Sequence, residues 1–309
     1  MTSNKFSRNK RLRRTPPVCK PPPPPPPSTP PSSPTPALLG EPDPFRDWAL
    51  TAKLPPVPIQ PFNALQIRNL AYNVYARPDN PAWISNLRQI RQRWDLFNGR
   101  RVVAIAQDQH TIHPQEIKRQ LGPDAEYIVH PNDPRTREQP GFVLLLNALK
   151  NCNPNEATFY AHAQGTTPYH NTDRSRQDAK QYWRNRMYHE LLDRWPDVAH
   201  ALQTHATAGI YMVDYTDTGQ TPPQSVTGGP WGLWHYCGTF YWFRHDHVFR
   251  NPRWSMIPDD CYASEMWLGS FIPSHLAATL HQPYDPKANP QPNYYAPEAH
   301  LDPIHDIPF

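Results

Sequence analysis

A few side chains in this sequence have the type and setting to do chemistry. Glu265 lies in CYASEMWLG (261–269), at the start of a predicted amphipathic helix over Ala263–Phe271. A carboxylate there gains a little from the helix dipole and, facing a cleft, can take a proton from an acceptor hydroxyl. The plain alternative is an N-terminal helix charge or a buried salt bridge to an arginine such as Arg184. His162 ends the apolar run Thr158–His162 and leads into AQGTT (163–167). Gly165 permits a positive φ or a close ligand approach, and Thr166 and Thr167 bring hydroxyls and N–H groups that suit phosphate oxygens. An imidazole at that point can bind phosphate, coordinate a metal or move a proton; otherwise it is a satisfied strand-end histidine. His245 and His247 flank Asp246, a spacing that chelates on a strand, but no third ligand accompanies them. The rings of Trp231, Trp234, Tyr236, Tyr241 and Trp242 either stack on sugars and bases or pack as core.

Other chemistries lose their support. The four cysteines (Cys19, Cys152, Cys237, Cys261) have no C-x-x-C spacing, so they form no zinc knuckle or disulfide framework and fit a reducing compartment. H-E-x-x-H, G-x-S-x-G and G-x-x-x-x-G-K-[ST] are all missing, which removes the zincin, α/β-hydrolase and P-loop readings.

The elements that must position these residues alternate. Strands are predicted at Asn69–Ala76, Arg101–Gln107, Glu126–His130, Thr158–His162 and Gly209–Tyr215. Helices are predicted at Pro81–Phe97, with Asn80 as cap, at His113–Leu121, ended by Gly122, at Phe142–Leu149 and at Asp178–Trp195. That alternation predicts an α/β domain with a mostly parallel sheet flanked by helices. Trp231–Phe249 breaks the pattern and reads as a strand or hairpin near the sheet edge. In such sheets ligands bind beyond the strand carboxyl ends. Those ends supply Asp108 with His110, Asn132 with Asp133, His162 with Gln164 and Gly165, and Asp214 with Asp217. For Asn132 and Asp133, between two prolines, ordinary turn chemistry is the better reading.

Composition frames this domain. Of 42 prolines, 19 fall in residues 1–64, including the run Pro21 to Pro27. Residues 1–61 therefore read as a disordered Pro-rich tail, 62–281 as the folded domain and 282–309 as an extended Pro-rich segment. Residues 1–40 carry seven basic side chains and no acid, against +4 for the whole chain, so the remainder is slightly acidic. The basic balance belongs to the tail, and no specific nucleic-acid surface is expected. PxxP-like runs suit SH3- or WW-type partners. No apolar run reaches the length of a membrane span, and the basic N-terminus lacks the apolar core of a secretory signal, so a cytoplasmic location is expected.

Four blocks, in order, resemble a group of poorly characterised glycosyltransferase-like proteins. They are YAHAQGTT (160–167), KQYWRNRMYHELLDRW (180–195), HYCGTFYWFRHDHVF (235–249) and YASEMWLG (262–269). The group is similar to rhamnan-synthesis-type sugar transferases and to the GT-A, Rossmann-like nucleotide-sugar fold. The resemblance spans roughly 100–272. It implies transfer of a hexosyl or deoxyhexosyl unit from a nucleotide-sugar donor to a glycan acceptor, with Glu265 as the base on the acceptor hydroxyl. It places Asp108, His162, Gln164, Gly165, Thr166, Arg184 and Asp214 on the donor side, and His235, Gly238 and Trp242 on the acceptor or sugar side. GT-A enzymes commonly hold Mn or Mg on the donor diphosphate through Asp-x-Asp; here that loop reads His162, Ala163, Gln164, with Gln where relatives often have Lys. Arg184 would supply positive charge instead. Two other readings stand beside this one: a transferase-like domain that binds glycan or nucleotide without turnover, and a scaffold working through its proline arm.

Overall fold

Three runs between Ile67 and His162 become the centre of a sheet. Ile67–Tyr75 (β1), Arg101–Gln107 (β2) and Glu156–His162 (β4) are buried along almost their whole length, as strands covered on both faces must be. The computed structural model describes residues 67–80, 82–163, 174–215 and 232–282, and for 174–180 the backbone only. All of them lie within one compact unit, Asp43–Phe309.

The main sheet has seven strands in the order β3-β2-β1-β4-β8-β5-β9, with β3 at Glu126–Pro131, β5 at Thr207–Gly209, β8 at Tyr241–Arg244 and β9 at Ala277–Thr279. β1, β2, β3 and β4 run parallel; β8 runs antiparallel to both β4 and β5, and β9 lies parallel to β5. The expected α/β class, a mostly parallel sheet flanked by helices, is the one observed. The order 3-2-1-4 reverses the direction of winding between β1 and β4, and the crevice beyond their carboxyl ends is where ligands bind in sheets of this kind.

The helices follow from local sequence. In α1 (Ala82–Gln92) Trp83, Leu87 and Ile90 form the buried stripe, and the Asn80 side chain accepts the Ala82 N–H. Pro114 starts α2 (Pro114–Leu121), and Gly122, at φ 93°, ends it. α3 (Gln139–Leu149) begins three residues before the predicted Phe142, because Pro140 fits the first turn; this puts Glu138 at its N-cap. α4 (Arg174–Tyr188) passes into a π-turn, His189–Asp193, before α5 (Trp195–Ala201), so the predicted helix Asp178–Trp195 is broken short of its end. Among the described residues no helix is long and apolar enough to cross a membrane.

Four expectations fail in the second half. The strand predicted over Gly209–Tyr215 is two strands in two sheets: β5, and β6 (Met212–Asp214), which pairs with β7 (Trp234–Tyr236). The chain turns at Tyr211, at φ 55°, and the Tyr236 ring fills the space over Gly209, 2.5 Å from where a Cβ would stand. The aromatic segment is not near the sheet edge, since β8 lies inside the sheet and all four of its residues are buried. The last helix is a single turn, α7 (Ala263–Met266), followed by 3-10 turns. The Gly269 carbonyl accepts from Leu233 N at 3.0 Å instead of continuing a helix. His245 and His247 lie on a short helix, α6 (His245–Val248), not a strand, so the chelating geometry imagined for them does not form.

Candidate functional site

The antiparallel strand explains how the site is built. Tyr160 near the end of β4 pairs with Tyr241 at the start of β8. The residues that precede β8, 235–240, therefore come to the carboxyl end of β4, while those after it go to the opposite end of the sheet. His162 closes β4 opposite Asn73 of β1, at the crevice. Glu138 at the N-cap of α3 pairs its carboxylate with His162 Nδ1, and Ser264 Oγ donates to the other Glu138 oxygen. Asn73 Nδ2 donates to the Glu138 backbone carbonyl at 2.8 Å, which ties α3 to β1. Gly141, one turn into α3, lets the helix lie against β1 and β3: a Cβ there would be 2.6 Å from Asn73 Nδ2 and 2.7 Å from His130 Nε2.

Glu265 on α7 reaches the same end. Its Oε1 accepts the Gly238 N–H at 3.1 Å and lies 3.9 Å from His235 Nε2. Gly238 holds φ 86°, a left-handed conformation that favours glycine, and an added Cβ would fall 2.6 Å from the Trp183 ring. Cys237 Sγ lies 3.5 Å from His235 Nε2, and the His235 ring stacks on Tyr215 with centroids 5.6 Å apart.

The two carboxyl groups are driven in opposite directions. Burial pushes Glu265 up to about 7, the Glu138 charge adds to it, and the Gly238 N–H and His162 oppose it. Burial also works to raise Glu138, but the His162 charge and hydrogen bond, with Ser264 and Arg137, outweigh it and hold Glu138 below its usual value. Glu138 is therefore an ionised partner for imidazole, while Glu265 exchanges a proton near neutrality. Environments that split like groups in this way are how acid and base roles are assigned. Burial lowers His235 to about 4, so its ring is neutral.

The structure thus brings His162, His235, Gly238 and Glu265 to one place, with Glu138, Ser264, Cys237 and Tyr215, which sequence reasoning missed. Glu138 was readable only with the correct start of α3. His235 lies in the strand and Cys237 in the turn that follows it, two residues on, so C-x-x-C is the wrong pattern to search for. The other expected site residues have different settings. Asp108 is committed to its turn: Tyr75 Oη and Asn132 Nδ2 donate to one oxygen at 3.0 and 2.8 Å, and the His110 N–H donates to the other. Arg184 is buried on the other face of β1 beside the Tyr188 and Tyr72 phenols, and burial lowers its pKa. Asp214 ends β6 opposite Trp234. Trp242 does not line the sugar side; it is fully buried, its Nε1 donates to the Leu191 carbonyl at 2.8 Å, and its ring packs on Trp195. Gln164, Gly165 and Thr166 lie outside the described residues.

The donors that converge here do not fit Mn or Mg as the donor-side cation. Those hard ions take mainly oxygen ligands, whereas His235, Cys237 and Glu265 offer one nitrogen, one sulfur and one carboxylate.

No protein-family model and no curated protein matches the chain. Among solved structures, it is similar to one from Desulfovibrio desulfuricans G20 described as a "putative nucleotide-diphospho-sugar transferase". The TM-score is 0.33 and the identity 10%, over 69% of this chain and 79% of that one. A likeness so remote bears on neither activity nor substrate.

Proposed function

We propose that this chain is a glycosyltransferase that moves a sugar from a nucleotide-sugar donor to a hydroxyl of a glycan acceptor. One observation carries the reading: Glu265 stands at the crevice beyond β1 and β4 on the Gly238 N–H, at the same sheet end as the paired His162 and Glu138 side chains. The crevice would take the donor. Glu265 would accept the proton of the acceptor hydroxyl as its oxygen bonds to the anomeric carbon and the bond to the diphosphate breaks. His162, carrying positive charge against Glu138, would face the departing diphosphate, a fixed charge aimed at charge that develops in the transition state. Gln164, Gly165 and Thr166 follow His162 in sequence and would extend the donor side. The narrower form of the proposal, hexosyl or deoxyhexosyl transfer of the rhamnan-synthesis type, rests on the four sequence blocks alone.

The test is a donor panel read two ways, by thermal shift and by transfer to hydroxyl acceptors. A donor that binds only the folded chain stabilises it by about RT ln(1 + [L]/Kd), roughly 2.7 kcal/mol at 100 times Kd. Glu265→Gln is expected to keep that shift and lose about 10²–10⁴-fold in turnover, the usual contribution of a general base. Full activity in Glu265→Gln, or no shift with any nucleotide sugar in folded protein, removes the proposal.

A further inference from the structure

The same end of the sheet holds a second feature, which shares Glu265 with the proposed transfer. His235 Nε2, Cys237 Sγ and a Glu265 carboxylate oxygen all lie within 4.8 Å of one another. The nitrogen and sulfur are 3.5 Å apart and the nitrogen and oxygen 3.9 Å apart. Zinc-to-nitrogen bonds of about 2.0–2.1 Å and zinc-to-sulfur bonds of about 2.3 Å, at tetrahedral angles, put nitrogen and sulfur about 3.5 Å apart. The pair already has that separation, and the Glu265 oxygen, 3.9 Å from the nitrogen, needs to come about half an ångström closer to it.

The backbone fixes these donors independently. His235 is in β7, Cys237 follows it, and Glu265 comes from α7. Cys237 is in no disulfide and is 6% exposed, while the Glu265 side chain, at 22%, reaches solvent and gives an ion a way in. The ring of His235 is neutral, stacked on Tyr215, and its Nε2 faces the other two donors.

We infer that His235, Cys237 and Glu265 form a three-ligand site for a zinc-class transition metal, with the fourth position open to water or a ligand. Soft sulfur and borderline nitrogen select this class over magnesium, calcium or manganese. On binding, the Cys237 thiol gives its proton to water and the thiolate takes the metal, so affinity rises with pH. The site itself does not depend on the transferase reading, but its consequence does. An ion on Glu265 occupies the lone pair that would accept the hydroxyl proton, so zinc brakes transfer.

Cobalt(II) is the probe, added to the full chain after chelator treatment. The expected result is one cobalt per chain with a thiolate-to-cobalt charge-transfer band in the near ultraviolet, displaced by zinc. Cys152→Ala keeps the band. Cys237→Ser loses it and binds cobalt at least about tenfold more weakly. Should Cys237→Ser fail to fold, His235→Gln serves, with the band kept but affinity reduced by a similar factor. No band in the wild-type chain, a band that survives in Cys237→Ser, or affinity unchanged in His235→Gln overturns the site. Donor thermal shifts on the same samples separate the two ideas. A donor shift without a cobalt band removes this inference alone, and a cobalt band without any donor shift removes the transferase reading alone.

Discussion

Glu138 and Glu265 are the same residue type at the same end of the same sheet, and their surroundings make them different reagents. Glu138 has an imidazole and a serine hydroxyl on its two oxygens, so ionisation is supported from both sides. Glu265 has one backbone N–H and a like charge nearby, so burial prevails. The difference can be tested at Glu138. In Glu138→Gln the side chain keeps its shape and can still meet Ser264, but His162 loses its counter-charge. Turnover in the transfer assay is expected to fall by about 10²–10³-fold, the cost of removing one fixed electrostatic group from such a site. The thermal midpoint should change little. Loss of activity that tracks loss of folded protein would instead make Glu138 a structural residue.

At the scale of elements, β8 decides where everything goes. Its direction carries 235–240 up to the crevice and sends Arg244 and the residues after it to the far end. It is held there by a buried bidentate pair. Arg244 donates to Asp246 at 3.0 and 2.7 Å and to the Leu202 carbonyl at 2.8 Å, with 1% and 3% of the two side chains exposed. Asp246→Asn leaves a guanidinium buried without its charge partner, and the expected cost is about 3–5 kcal/mol in a urea titration. A loss below about 1 kcal/mol, the size of a surface pair, would show that the buried charges contribute little.

This strand also marks the limit of what could be read in the sequence. The alternating first half was legible because each apolar run between turn residues has one answer: Arg101–Gln107 is a strand and Gly122 is a stop. YWFR (241–244) has a large ring on each face, which fits an interior strand as well as packing at an edge, and no local property states its direction. The break after Gly209 was hidden for a similar reason, since it depends on the Tyr236 ring from 27 residues further on. Of the site, His162 was visible from its Gly-containing loop, and Glu265 and His235 from the resemblance. Glu138 and Cys237 were not, because the first needed a helix start and the second a partner brought by another element.

Viewed as a whole molecule, the sheet has two polar ends with different surroundings. The carboxyl end of β4 holds His162, Glu138 and Glu265. The opposite end holds a closed lock around His245, which is fully buried. The Thr158 hydroxyl meets its Nε2 at 2.6 Å, Asn151 Oδ1 meets its Nδ1 at 3.1 Å, and Glu156 lies 3.5 Å from Nδ1. Burial holds this imidazole down to about 4 from an ordinary 6.5, although Glu156 and Asp246 pull the other way. Between those values this imidazole binds fewer protons in the folded chain than in the unfolded one, so its contribution to stability is complete above about pH 6.5 and is lost as pH falls toward 4. Full loss amounts to about 3 kcal/mol at most for this one group. His235, lowered to about 4 by burial, titrates over the same window in the same sense, and Glu265, raised to about 7, in the opposite sense, so the His245 share is read as a difference between two chains. In His245→Asn a smaller amide replaces the imidazole and has no proton to gain. Its stability at pH 7.5 should be lower, and its deficit relative to the native chain should shrink by up to about 3 kcal/mol as pH falls from 6.5 to 4. A decline as steep as that of the native chain would mean that His245 is already charged in the folded protein, held so by Glu156, and that the lock is an ion pair.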